Sequence, residues 1–178
     1  KEAEMKGKRI DAIWNCFTVN PERAEVYQLS KPYMKNAQLI VVPANSSINK
    51  IADLAGKVVA VQDDSTGSYI IDGNDEMRNS LKEYRKYPDF AAVYMDIDSG
   101  RVEAAVVDAV LARYYDSKNP GKYRILEENL GDEVLAVAFR KDDKDYAPLI
   151  DKALDEMKKD GTAKKISEQW FNADLTNY

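Results

Sequence analysis

Residues 58–68 read VVAVQDDSTGS, an apolar run followed directly by a polar, turn-forming run. The first four residues are typical of a buried strand, and Ser65 or Thr66 is typical of the start of a helix. A second pattern of this kind follows at residues 104–108, AAVVD, which precede a helical pattern from Ala109. Strands that alternate with helices in this way predict an α/β fold with largely parallel sheets.

The flanking sequence continues the alternation of strands and helices. A short helix is expected to begin at Pro21, because proline suits the first helical position and Glu22 follows it. Gly161 is expected to end one helix, and Thr162 to cap the next. The aromatic residues Trp14, Phe17, Trp170 and Phe171 are expected in the core. Further strands are predicted over 10–17, 38–42, 92–95, 123–126 and 134–140, and helices over 75–84, 109–115 and 146–157.

Composition excludes several classes of function. The chain has 178 residues and a net charge of −5, which argues against a nucleic-acid partner because phosphates require a basic surface. It contains no histidine, so histidine bases, serine–histidine triads and the usual zinc sites are excluded. The single cysteine, Cys16, has no partner for an internal disulfide. No cofactor or metal is expected, and no apolar run approaches the ~20 residues that span a bilayer.

Polar residues cluster at the ends of predicted strands, where α/β proteins bind ligands. The clusters are residues 15–23, residues 62–68 and Asp108. A guanidinium such as that of Arg23, with nearby hydroxyl donors, matches a carboxylate. A carboxylate such as that of Asp108 matches an ammonium group. Together these groups could bind an amino-acid zwitterion, if the fold brings them together.

Each of these residues also has a structural interpretation. Arg23 on a helix is usually a solvated charge, Thr18 alone is a loop residue, and Ser65 with Thr66 is most often a helix cap. Asp108 after a strand is more often the N-cap of the following helix. The residues alone therefore leave both interpretations open.

The order of several short motifs resembles that of polar amino-acid solute-binding proteins of ABC importers, bacterial solute-binding protein family 3. Each motif is weak alone, but together they span nearly the whole chain in the order that the family has. The matching residues are 10–23, 30–33, 53–62, 65–67, 100–108, 160–162 and 170–171.

The resemblance implies a periplasmic-binding-protein-like α/β fold with two lobes joined by two hinge strands. Lobe 1 would comprise residues 1–43 and 134–178, and lobe 2 residues 44–133. The family has a strand–helix–strand segment before the region of Asp11, so the first lobe is expected to be incomplete in this chain. We expect a mature chain from which a signal peptide has been removed, or a truncated, split or engineered form, in which lobe 1 exposes apolar surface.

The resemblance also implies a role for each candidate residue. The residues that would bind the α-carboxylate of the ligand are Arg23, Thr18, Ser65 and Thr66. The ammonium group would contact Asp108 and the backbone of Cys16. The ligand side chain would face Asn15 and Gln62. Two positions depart from the family pattern, which often has glycine where this chain has Cys16 and Asp64.

The implied function is extracytoplasmic binding of a free amino acid, in the periplasm or on a lipoprotein at the cell surface. The implied partners are the ligand, the membrane subunits of an ABC importer and, for the missing segment, a second chain. No enzymatic activity is expected. The alternatives are a dehydratase-type enzyme on the same fold and the ligand-sensing domain of a receptor, since fold alone does not fix function.

Overall fold

A computed structural model describes residues 1–176 and has the predicted α/β class. Residues 51–54 form one 3-10 turn. The strands are β1 (Ile13–Thr18), β2 (Tyr27–Leu29), β3 (Met34–Pro43), β4 (Val58–Gln62), β5 (Glu83–Tyr87), β6 (Ala104–Asp108) and β7 (Tyr123–Arg140). The helices are α1 (Glu2–Lys6), α2 (Pro21–Val26), α3 (Thr66–Asp72), α4 (Asp75–Ser80), α5 (Phe90–Asp98), α6 (Ala109–Lys118), α7 (Tyr146–Lys159) and α8 (Thr162–Phe171).

The chain divides into two compact units. Unit 1 comprises Lys1–Asn36 and the described residues from Glu133 onward, and unit 2 comprises Ala37–Asp132. The chain passes from one unit to the other within two strands, β3 and β7. The predicted strands at 123–126 and 134–140 are therefore parts of one long strand.

In unit 2, β4 lies between β5 and β6 and is parallel to both. Strand β3 adds to β6 in the antiparallel direction, so that Gln38 faces Asp108 across the pair. Val59 and Val61 pack into one core cluster and Ala60 into another, so both faces of β4 are covered. Burial on both faces explains why the strand is apolar throughout and does not alternate.

Two elements of unit 2 differ from the sequence prediction. The helix predicted over 75–84 ends at Ser80, and residues 83–87 form the edge strand β5. The strand predicted over 92–95 is wrong, because these residues lie inside helix α5. The Asp89 side chain caps α5 by accepting a hydrogen bond from the Ala92 N–H at 2.9 Å. Pairing with β4, a distant part of the sequence, decides which of these segments is extended.

In unit 1, β1 and β2 pair with β7, and both pairings are antiparallel. The prediction of largely parallel sheets therefore holds only for β4, β5 and β6. Phe17 and Ile13 lie in a small core with Met5 and Tyr27. Phe17 was correctly predicted as a core residue, because only 1% of its surface is exposed.

Helices α7 and α8 leave much of their apolar surface uncovered. Ala147 of α7 packs against Phe139 and is buried. In contrast, Leu149 is 63% exposed and Trp170 of α8 is 49% exposed. The core placement predicted for Trp170 is wrong, as it is for Trp14, which is 53% exposed; Phe171 is half-buried. The cap predicted at Thr162 is also displaced, since α8 begins at Thr162 and the N-cap is Gly161, with φ 80°.

Gly67 lies at the closest approach of α3 to the sheet of unit 2. A Cβ atom at this position would lie 2.8 Å from Cγ1 of Val106 and 2.9 Å from Oε1 of Gln38. Both neighbours are buried within the sheet. A side chain at position 67 would therefore push α3 away from β6.

We expect Gly67→Ala to lower the free energy of unfolding by about 1–3 kcal/mol, the usual cost of overpacking a core. The matched control is Gly73→Ala at the C-cap of the same helix, where φ is −81° and the nearest atom to a Cβ is 3.2 Å away. Urea denaturation of the two variants measures the difference. Equal stability of Gly67→Ala and the unmodified chain would contradict the close packing.

Candidate functional site

Strand β1 contains a bulge at the residues predicted to face a ligand. Ile13 pairs with Ala138 and Phe17 with Ala136, so β1 advances by four residues while β7 advances by two. The extra residues include Asn15, which is exposed, and Cys16, whose φ is 58°. Bulges of this kind re-aim side chains and backbone groups, and they are common beside functional sites. The bulge also explains why residues 10–17 do not alternate regularly.

Helix α2 presents Arg23 beside this bulge. The predicted start of the helix is confirmed: Asn20 is the N-cap and its side chain accepts from the Arg23 N–H at 2.8 Å. The Nη1 atom of Arg23 donates to the Thr18 carbonyl at 2.9 Å, and its guanidinium carbon lies 4.2 Å from the centroid of the Phe17 ring. Unit 1 thus brings Arg23 and Thr18 together as predicted.

The Thr18 side chain has partners that were not predicted. Its hydroxyl donates to Oε2 of Glu133 at 2.8 Å, and the same oxygen accepts from Nδ2 of Asn36 at 2.9 Å. Thr18 and Asn36 are each 5% exposed. Since a hydroxyl has one proton, Thr18 as seen here does not donate to a ligand carboxylate. Glu133 and Asn36 could have been noticed as polar residues bordering the apolar runs of β7 and β3.

In unit 2, two predicted residues end neighbouring strands. Val61 and Val106 are paired in parallel, so Gln62 at the end of β4 and Asp108 at the end of β6 lie at the same edge of the sheet. Gln62 donates from Nε2 to the Pro88 carbonyl at 3.2 Å.

The Asp108 carboxylate accepts a hydrogen bond from the buried side-chain amide of Gln38. The Nε2 atom of Gln38 donates to Oδ1 of Asp108 at 2.8 Å, and Gln38 is 1% exposed. Asp108 occupies the N-cap position of α6, but its side chain makes no capping hydrogen bond. Asp108 is therefore the N-cap residue that its structural interpretation names, and Gln38 orients its carboxylate. Gln38 was missed, although a glutamine among apolar strand residues is a signal for a buried polar partner.

Ser65 is a helix cap, as its structural interpretation states. Its hydroxyl accepts from the Ser68 N–H at 3.1 Å and donates to the Gln62 carbonyl at 2.7 Å. Thr66 is the first residue of α3 and is half-buried. The loop before them places Asp63 near Lys86, with 3.7 Å between the Asp63 carboxylate and Nζ. A hydrogen bond from Lys86 to Asp72, with Asp63 nearby, raises the pKa of Lys86 above its ordinary value.

The two positions where the family often has glycine, Cys16 and Asp64, share one backbone conformation. Cys16 has φ 58° and Asp64 has φ 54°, both in the left-handed region that favours glycine. Asp64 is exposed, and its Oδ1 lies 3.5 Å from the Tyr69 hydroxyl. The backbone at both positions is thus of the kind that glycine adopts without strain.

Residues 1–176 contain no group of three or more acidic or cysteine side chains that could hold a metal ion. Within the same range, no helix is long and apolar enough to cross a membrane.

Comparison with known sequences identifies related proteins. Residues 2–173 match the model of the bacterial extracellular solute-binding proteins, family 3. The L-cystine-binding protein TcyJ of Escherichia coli is 33% identical over 178 residues, a match that covers 98% of this chain and 65% of TcyJ. The histidine-binding periplasmic protein of Salmonella typhimurium is 28% identical, with 96% of this chain and 68% of that protein covered. The chain thus spans about two thirds of the length of these relatives.

Solved structures show the same arrangement of elements. A substrate-binding protein of an ABC uptake transporter from Streptococcus pneumoniae, with bound histidine, has a TM-score of 0.90 and 32% identity. That match covers 99% of this chain and 74% of the pneumococcal one. An ancestral arginine-binding protein bound to glutamine has a TM-score of 0.82 and 34% identity, with 95% and 74% of the two chains covered.

We expect Cys16→Gly to be at least as stable as the unmodified chain. Glycine relieves a left-handed conformation that costs about 1–2 kcal/mol, against about 0.4–1 kcal/mol of extra entropy in the unfolded state. Cys16→Val, whose branched side chain resists this conformation, should lose stability. Asn15→Gly in the same bulge is the matched control, since φ at Asn15 is not positive. Thermal unfolding would contradict the assignment if the valine variant were the more stable of the two Cys16 variants.

Proposed function

We propose that this chain, which belongs to the bacterial extracellular solute-binding proteins, family 3, binds a free amino acid outside the cytoplasm for delivery to an ABC importer. The main support for the proposal is the position of the Arg23 guanidinium, which is fixed by two contacts. One N–H of its guanidinium is fixed on the Thr18 carbonyl and its face lies on Phe17. A guanidinium has five N–H donors, and no other hydrogen bond from this group is made to the described residues.

Arg23 is thus prepared to bind a carboxylate. The ring of Phe17 and the Thr18 carbonyl limit how the guanidinium can rotate, so little entropy is lost when a second partner binds. A ligand carboxylate can accept two parallel N–H groups from such a fork. This is the chemistry that recognises the α-carboxylate of an amino acid.

Asp108 supplies the complementary charge in unit 2. Its carboxylate is oriented by Gln38 and can accept from an ammonium group. We propose that Arg23 and Asp108 bind the two ends of one zwitterion, with the Cys16 backbone also accepting from the ammonium. Asn15 and Gln62 would face the ligand side chain. The support is that similar proteins have been solved with bound histidine and with bound glutamine.

Ser65 and Thr66 are proposed to donate to the carboxylate from the second lobe. Ser65 can do so only if its hydroxyl leaves the Gln62 carbonyl, which it contacts at 2.7 Å. Its contribution to affinity should therefore be smaller than that of Arg23.

The proposed lobes are residues 1–43 with 134–178, and residues 44–133. Strands β3 and β7 are the two connections between them, and two connections permit closure by bending at a few residues. A ligand that contacts both lobes binds the closed form better and shifts the population toward it. The membrane subunits of the importer could then distinguish loaded from empty protein.

The class of ligand is a polar amino acid. Relatives are named for cystine and histidine, and another for arginine, so the side-chain pocket of this chain is not fixed by family membership. A thermal-shift screen of the common amino acids identifies the ligand. Turnover of cyclic amino-acid precursors by the purified chain would instead support the dehydratase alternative.

A second chain is proposed as a partner of unit 1. The apolar face of α7 is only partly covered, with Leu149 63% exposed, and the chain spans 65% of TcyJ. We propose that a segment supplied by a second chain completes lobe 1 on this face. The whole protein would be extracytoplasmic, either free in the periplasm or held at the cell surface by a lipid anchor.

Arg23→Ala should weaken binding of the amino acid found in the screen by about 2–5 kcal/mol, the scale for removing one side of a buried charge pair. This corresponds to a loss of about 30-fold to several thousand-fold in affinity. Arg23→Lys should recover only part of the loss, since it keeps the charge but not the fork. Arg113→Ala, at an exposed position of α6, is the control. Calorimetry that gave Arg23→Ala unchanged affinity would remove the proposed site.

The chain on its own should associate through α7 and α8. We expect an apparent mass above the monomer value of 20.1 kDa in size-exclusion chromatography with light scattering. The double variant Leu149→Lys with Trp170→Lys should shift the population toward monomer, because charges oppose burial of that face. Met95→Lys, at a methionine of unit 2 that is 67% exposed, should leave association unchanged. A stable monomer of the unmodified chain that binds an amino acid would refute the need for a covering segment.

A further inference from the structure

The guanidinium of Arg140, at the end of β7, joins separate parts of unit 1. Its Nη1 atom donates to the Ile10 carbonyl at 2.5 Å, and its Nη2 atom donates to the Asp11 carboxylate at 2.6 Å. Its Nε atom lies 2.6 Å from the carboxylate of Asp143, in the turn that follows β7. The Arg140 side chain is only 17% exposed, so packing as well as these bonds sets its position. Arg140 thus fixes the segment between α1 and β1 on the end of β7.

We propose that Arg140 is a positioning residue of the amino-acid site, which keeps the Arg23 guanidinium in its binding orientation by supporting the ring beneath it. The inference rests on the proposed function, in which Arg23 binds the α-carboxylate of the ligand. Arg140 itself does not touch the ligand in this proposal. Its effect passes through Met5 of α1 and Phe17 of β1.

The first contact on this route is between Arg140 and the segment that contains α1. Nη1 of Arg140 lies 3.9 Å from the sulfur of Met5, and the Ile10 carbonyl that it binds follows the end of α1. Met5 is 1% exposed although α1 has only five residues. A helix this short is unstable by itself, so tertiary contacts must hold it in place. The bonds from Arg140 supply part of this constraint.

The second contact is between Met5 and the Phe17 ring. Both side chains are buried in one core cluster with Tyr27. The Phe17 and Tyr27 ring centroids are 5.5 Å apart, with 88° between the ring planes. Tyr27 is also the partner of Arg140 in the register of β2 and β7. Phe17 is thus packed against two elements, α1 and β2, that lie against Arg140.

The third contact is between Phe17 and Arg23. The guanidinium carbon of Arg23 lies 4.2 Å from the centroid of the ring. A cation at this distance is attracted to the ring face, so the position of the ring helps to set the position of the guanidinium. Phe17 is 1% exposed and is held by close packing. A looser α1 would leave the ring less well fixed, and the guanidinium would lose part of its preorganisation for a carboxylate.

Arg140→Met tests this role, because methionine keeps an unbranched side chain and has no N–H donor in it. The probes are L-histidine and L-arginine, each compared with its carboxamide, in which a neutral amide replaces the α-carboxylate. If the thermal-shift screen gives another amino acid, that amino acid and its carboxamide are the probes. In the unmodified chain the amino acid should be preferred, because the Arg23 fork pairs with a carboxylate. In Arg140→Met this preference should narrow by about 3- to 30-fold, the range for residues that act through others.

Arg124→Met is the matched control. Arg124 lies on the same strand within unit 2, and its Nη2 atom donates to the Ser46 and Ile48 carbonyls at 3.0 and 2.7 Å. Its replacement should lower the melting temperature but leave the preference for the carboxylate unchanged. A merely structural role of Arg140 would give the same result in Arg140→Met. The ratio of the two affinities is therefore the deciding measurement, and an unchanged ratio in Arg140→Met overturns the inference.

Hydrogen exchange in the unmodified chain tests the same route without a substitution. Coupling between two sites is reciprocal, so a ligand that fixes the guanidinium should also stabilise α1. The N–H groups of Met5 and Gly7, which donate to the Lys1 and Ala3 carbonyls at 3.0 and 2.9 Å, should exchange more slowly when the amino-acid probe is bound. Helix α4 of unit 2, which has six residues, is the comparison and should be slowed less. Equal slowing in the two helices, or none in α1, would overturn the route through α1.

The two proposals fail in different ways. An unchanged ratio in Arg140→Met, with affinity still lost in Arg23→Ala, overturns the role of Arg140 and leaves the proposed function standing. Absence of binding of any common amino acid to the unmodified chain overturns both.

Discussion

The proposed site depends on the position of the Arg23 guanidinium. One of its nitrogens donates to the Thr18 carbonyl, and its face lies on the ring of Phe17. Arg23 reaches the Thr18 carbonyl at 2.9 Å because only two residues separate the end of β1 from the helix that carries Arg23. Phe17, which lies under the guanidinium, is itself anchored in the core of unit 1. The strand, its bulge and the short helix thus act together to orient one charge, and the remaining donors of that charge are what a ligand carboxylate requires.

Strand β3 carries two buried carboxamides, each of which holds one carboxylate. Asn36 donates to Glu133 within unit 1, and Gln38, two residues further on, donates to Asp108 within unit 2. A buried amide without a partner would be costly, so each carboxylate is fixed by a group that itself cannot easily move. The acids are held as acceptors by residues on a connecting strand. The same strand therefore helps to define polar groups in both units.

Local signals in the sequence were sufficient for the elements that carry Arg23 and Ser65. Asn20 followed by Pro21 predicted the start of α2, and the apolar run before Gln62 predicted β4. The sequence prediction was wrong for residues 83–87, which form a strand, and for residues 92–95, which lie in a helix. Residues 83–87 are extended because they pair with β4, and a local sequence pattern carries no information about that pairing. Glu133 and Gln38 were missed for a related reason: their partners are 115 and 70 residues away in sequence.

Backbone strain occurs in both units, next to residues that are proposed to bind the ligand. Cys16 in the bulge and Asp64 in the loop before α3 are non-glycine residues with positive φ, a conformation that persists only where the surroundings impose it. At Cys16 the pairs Ile13–Ala138 and Phe17–Ala136 fix both sides of the bulge. At Asp64 the Ser65 hydroxyl closes the loop onto the Gln62 carbonyl. Each strained residue is thus held between hydrogen-bonded neighbours, which fixes the backbone at Cys16 and Asp64 in one orientation.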